Sequence, residues 1–145
     1  MKRFIYSLAL IISIVAASTP AFAQQSGNLR IEFQGPGGHS SGAYGRVSAL
    51  HAAARAVILI QKALPAGSYQ ITNLTGGNSV NSIASDGLIE MKLTAGNAAA
   101  YKELVAAVTK AAADGAAAEN AFRGVKAGDL TAGAPATIRS KVTPF

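Results

Sequence analysis

The chain has 145 residues, no cysteine, no tryptophan and a formal net charge of +6. Without cysteine there can be no disulfide framework, no thiolate metal site and no cysteine-linked lipid anchor. Its basic residues are scattered and the few aromatics do not interleave with them, so no nucleic-acid footprint is expected.

Lys2 and Arg3 open the chain, Phe4 to Ala17 is an almost unbroken apolar run, and Pro20 breaks it. Ala21-Phe22-Ala23 then offers the small residues of a signal-peptidase site, followed by Gln24. The apolar run is short for a bilayer span. The pattern predicts a signal peptide over 1–23 and export to the periplasm or extracellular space, with no membrane association after cleavage. The mature chain, 24–145, would be a single domain with one modest core. Losing Lys2 and Arg3 lowers its net charge from +6 to +4, a mildly basic, solvated surface.

The first predicted strand alternates Leu29, Ile31 and Phe33 with Arg30, Glu32 and Gln34. A glycine-rich stretch, GPGGHSSGAYGRV, leads into a helix from about Ser48 to Leu64. Ser48 is its expected N-cap, and Pro65 and Gly67 end it. The expected apolar stripe is Leu50, Ala53, Ala54, Val57 and Ile58. The second strand alternates Tyr69 and Ile71 with Gln70 and Thr72. After the polar loop TGGNSVNSIASDG, the third alternates Ile89, Met91 and Leu93 with Glu90, Lys92 and Thr94.

A second helix starts near Asn97, with Tyr101, Leu104, Val105 and Val108 on one face. Alanine fills half of the 24 positions from Ala98 to Ala121, which favours helix, with an interruption expected at Gly115. A loop over Gly124–Gly133 precedes the last strand, marked by Ala136, Ile138 and Val142. Strands with one apolar face, in the order βαββαβ, predict an α+β ferredoxin-like two-layer sandwich. Its four-stranded antiparallel sheet would carry both helices on one face.

Within the glycine-rich stretch, GHSSG matches the G-x-S-x-G nucleophile elbow around Ser40. That motif requires an acidic residue and then a histidine downstream, on a parallel sheet. Here His51 is the only later histidine, no acid lies between it and Ser40, and it shares a helical face with Arg55 and Lys62. A phosphate loop would need glycine in place of Ser40. Two histidines and seven carboxylates, with no H-x-D or H-E-x-x-H spacing, offer no self-contained metal site. On residue type alone, Gly37, Gly38 and Gly42 shape the first loop around a solvated His39, and Gly76 and Gly77 shape the second. A connection as long as the second loop often has a functional role.

Taken together, GPGGHSSGAYGRVSALHAAARAV and, about a dozen residues later, YQITNLTGGNSVNSI resemble the dimerisation (lid) domain of the zinc-dependent peptidase family M twenty. That family includes tripeptidases, carboxypeptidase-G-type enzymes, aminoacylases and succinyl-diaminopimelate desuccinylases. The similarity runs from Leu29 to about Leu104, and the tripeptidase-like branch is closest. It implies that His39 matches a histidine reaching the partner subunit's active site to polarise a substrate carbonyl, and that Asn81 matches a substrate-contacting asparagine. The chain departs from the family pattern in two places: Lys92, Leu93 and Thr94 stand where the family has Asp-x-Arg, and Ala84 where it has proline.

The family's metal-binding catalytic domain is not expected in this chain. The resemblance therefore implies an exported, non-catalytic domain without cofactor, zinc belonging only to a separate catalytic subunit. Homodimerisation is the leading expectation. Donation of His39 in trans to a separately encoded metallopeptidase, or binding of small peptides or amino acids, are the alternatives.

Overall fold

The computed structural model describes residues 23–145; of the expected leader, 1–23, residues 1–22 lie outside the described residues. In chain order the elements begin with β1 (Gln25–Gln34), a two-residue β2 (Gly38–His39), the one-turn α1 (Ser40–Ala43) and α2 (Ala49–Ala63). They continue with β3 (Tyr69–Thr75), a two-residue β4 (Ser82–Ile83), β5 (Asp86–Ala95) and α3 (Ala98–Phe122). A small hairpin, β6 (Leu130–Thr131) and β7 (Ala134–Pro135), precedes β8 (Arg139–Pro144). The main sheet has the order β3-β5-β1-β8 with every pair antiparallel, the ferredoxin-like arrangement expected from the alternation.

The apolar face of the sheet makes the floor of the core. Leu29, Ile31 and Phe33 of β1 and Ile89, Met91 and Leu93 of β5 are all buried, held by a register that pairs Leu29 with Met91 and Ile31 with Ile89. Each such side chain contributes about 1.5–3 kcal/mol of burial. On the opposite, wet face, Arg30 Nη2 meets Glu90 Oε1 at 2.7 Å across β1 and β5. That hydrogen bond holds the Glu90 carboxyl below the ordinary glutamate range, opposed by desolvation and reinforced by Asn73 and the Arg30 charge.

Four local readings are corrected. Strand β1 starts at Gln25 rather than Leu29, because Gln25–Asn28 pair with Lys92–Ala95 of β5 despite lacking apolar alternation. The buried stripe of α2 is Ala49, Ala52, Ala53, Ala56 and Ile60, whereas Ala54 and Ile58 face solvent. Helix α3 runs unbroken through Gly115. A β-carbon there would lie 2.8 Å from the Ala52 carbonyl and from Ala56, so glycine lets the two helices approach closely.

The last strand begins at Arg139, after Ala136 and Ile138 have been buried outside it. The Asn120 amide stands in for a sheet neighbour at this approach. Its Oδ1 accepts from the Ile138 N–H at 2.7 Å and its Nδ2 donates to the Ile138 carbonyl at 3.1 Å. Among the described residues no helix is long and apolar enough to cross a membrane.

Candidate functional site

The two loops singled out in the sequence meet in space. Gly38 and His39 of β2 pair with Ile83 and Ser82 of β4, and the Ser40 N–H donates to the Asn81 carbonyl at 2.9 Å. Below this ribbon, the Gly35 N–H donates to the Ser85 carbonyl and the Ala49 N–H to that of Ala84. The turn into the ribbon needs glycine. Gly37 (φ 62°) and Gly38 (φ 140°) occupy backbone that L-residues avoid, and a β-carbon on either would strike Ser85 or Ala43.

In the second loop Gly77 has φ 75°, and Gly76 passes close to the Asp86 backbone. Gly42 corrects the expectation. It has no positive φ, and a β-carbon there would meet open space, so the geometry requires no glycine.

His39 caps α1 and is exposed at the ribbon's tip. Its Nδ1 lies 2.8 Å from Ser41 Oγ, and its Nε2 lies 3.1 Å from Asn81 Nδ2. The Asn81 Oδ1 accepts from the Ser79 hydroxyl, which orients the amide with its NH₂ toward the imidazole. A neutral ring with its proton on Nδ1 satisfies both side-chain contacts together, donating to the Ser41 hydroxyl and accepting from Asn81, at the expense of the longer capping contact in which Nδ1 accepts from the Ser41 N–H at 3.3 Å. Protonation turns Nε2 into a second donor beside the Asn81 NH₂. Two outward donors at one exposed edge suit a carbonyl or carboxylate oxygen.

The structure thus brings His39 and Asn81 together, a link that the residues alone could not make. It does not assemble a serine nucleophile. The His39 ring bonds to Ser41 and Asn81 rather than Ser40, and His51 lies on α2 beside Glu119. Lys92 and Thr94 lie toward the end of β5 remote from these loops. Among the described residues no three His, Cys, Asp or Glu side chains converge to hold a metal ion.

A buried cluster supports the loops from below, and sequence reasoning missed it. Glu119 of α3 is fully buried; its Oε1 accepts from the Ser48 N–H at 3.1 Å and from Arg123 Nε at 3.3 Å. Its Oε2 accepts from Arg55 Nε at 3.0 Å, and His51 Nδ1 stands 3.8 Å from Oε1. The carboxylate therefore caps the first turn of α2, where the His39 loop enters the helix. Its signal was the spacing that places Glu119 on the same stripe as Val108, Ala112 and Gly115, all buried.

The order of strands, the two helices on one face and the paired loops define an α+β ferredoxin-like domain with its two glycine-rich loops joined at one end. The family model described as "Peptidase dimerisation domain" matches residues 24–120, and the chain belongs to that family. Solved structures agree in fold. An aminobenzoyl-glutamate utilization protein from Klebsiella pneumoniae is 16% identical with a TM-score of 0.63, over 88% of this chain and 31% of its own.

A hydantoinase/carbamoylase family amidase from Burkholderia ambifaria is 18% identical with a TM-score of 0.61, over 86% and 28%. A tripeptidase from Staphylococcus aureus is 17% identical with a TM-score of 0.60, over 83% and 29%. The chain thus spans less than a third of each of these proteins. No curated protein sequence matches it.

Proposed function

We propose that this domain is an exported, non-catalytic association module that forms a homodimer by pairing β3 with β3 of a second copy. The contrast between the two sheet edges carries the reading. Strand β8 contains Arg139, Lys141 and Pro144, the residues that discourage edge pairing. Strand β3, YQITNLT, has no charge and no proline. Leu74 on β3 is 43% exposed and Ile58 on the overlying α2 is 51% exposed, an apolar margin beside open backbone groups.

Light scattering on the purified protein tests this. A dimer is expected at micromolar concentration, with Leu74→Lys shifting it to monomer and Thr143→Lys on β8 leaving it intact. A wild-type protein that stays monomeric at several hundred micromolar would sink the proposal.

The exposure of the His39–Asn81 pair favours a second reading, docking onto a separately encoded metallopeptidase with His39 donated in trans. Mixing the protein with co-secreted metallopeptidases should then raise turnover, and His39→Ala should abolish the gain without abolishing binding. Turnover that is the same with wild type and variant would exclude it.

A further inference from the structure

We propose that the cleft between the turn after α1 and the loop after β3 docks an acidic segment of a partner protein. This site is distinct from the β3 edge and from the His39–Asn81 pair, neither of whose side chains lines it. The cleft encloses about 640 Å³, and Arg46, His51 and Arg123 line it with no carboxylate among the lining residues. The acid that His51 and Arg123 face, Glu119, is wholly buried and already accepts from Arg55, Arg123 and the Ser48 N–H. Arg55 and Arg123 thus share one sequestered carboxylate while Arg46 donates only to the Gly37 carbonyl, which leaves the surface cationic.

The cationic surface continues beyond the cleft. The Arg55 and Arg123 guanidinium groups lie over the ring of Phe122 at 5.0 and 4.9 Å, and that ring is 66% exposed. Stacking on the ring and anchoring on Glu119 hold both planar groups in place without consuming all of their donors. At the rim, Tyr44 is 91% exposed and Val80 is fully exposed. Large apolar tips around a basic floor suit an occupant with carboxylates and an apolar side chain together. The volume exceeds what an inorganic anion fills, so the geometry favours a peptide segment.

The test titrates the isotope-labelled protein, at low salt, with the peptide acetyl-Glu-Glu-Leu-Glu-Glu-amide, its all-Gln counterpart and a thymine oligonucleotide. The Glu peptide should bind at least about tenfold more tightly than the Gln peptide, move the NMR signals of Tyr44, Arg46, His51 and Phe122, and weaken as salt is added.

Arg46 also donates to the Gly37 carbonyl at 3.2 Å, so Arg46→Gln is paired with Phe122→Ala, which leaves that bond alone. Each variant should lose about tenfold in affinity with an unchanged circular dichroism spectrum. Equal affinity for the Glu and Gln peptides would overturn the proposal. Preference for the oligonucleotide, signals moving at β3 or His39 instead, or full affinity in both variants would do the same. None of these outcomes bears on dimerisation, which light scattering reads separately.

Discussion

The backbone N–H of Ser48 and the Oε1 of Glu119 lie 71 positions apart in sequence and 3.1 Å apart in space. Through this bond the far part of α3 caps the start of α2, and with it the exit of the His39 loop. Glu119→Ala should therefore destabilise the fold by about 3 kcal/mol. That is the lower end of the cost of breaking a buried ion pair, because Arg55 and Arg123 can turn toward water. Glu119→Gln, which keeps an acceptor for Ser48, should cost less than half as much. Urea unfolding of both variants checks the order; equal losses would show that the cap is irrelevant.

Gly115→Ala sets intrinsic propensity against packing. Alanine is better than glycine in a helix by about 1 kcal/mol. Its β-carbon would press on the Ala52 carbonyl and Ala56, and such overpacking costs about 1–3 kcal/mol. A net loss of roughly 1 kcal/mol is expected in the denaturant midpoint. A stabilised variant would mean that α2 and α3 separate without penalty.

The Arg30–Glu90 pair makes a defined contribution to acid stability. Glu90 is depressed in the folded chain, so the unfolded chain binds more protons in the interval between the two values. The stabilisation is present above the ordinary glutamate range and is lost as pH falls from that range through the lower value of the folded chain. Arg30→Gln should flatten the stability profile in that window and return the Glu90 carboxyl to an ordinary titration by NMR. An unchanged Glu90 titration would assign the shift to another cause.

For His39, long-range nitrogen–proton NMR at neutral pH should find the proton on Nδ1. Asn81→Ala removes the donor to Nε2, and the proton should then move toward Nε2, the usual preference of a free imidazole. A wild-type ring already protonated on Nε2 would mean that the Asn81 amide presents its oxygen instead.

Much of the architecture was legible because burial imprints a period. Leu29, Ile31 and Phe33 alternate as one face of a sheet must, and Ser48 and Pro65 mark the ends of α2 by capping chemistry. The β2–β4 ribbon left no such trace, since two residues cannot display a period, and so the meeting of His39 with Asn81 emerged only in three dimensions. The buried face of α2 was misread toward Leu50, Val57 and Ile58 because hydropathy favours large side chains. Close helix packing at Gly115 selected the alanines instead. Clustering of Arg55, Phe122 and Arg123 was likewise invisible, the first coming from a different helix than the other two.

The unequal edges of the sheet limit how far an assembly can grow. In the proposed dimer, pairing through β3 would consume the unguarded edge of each copy and turn both β8 strands outward. The resulting eight-stranded surface would end on each side in Arg139, Lys141 and Pro144. Such a union is isologous and closes at two copies. The charge and the proline on one strand therefore separate a finite complex from an open fibre.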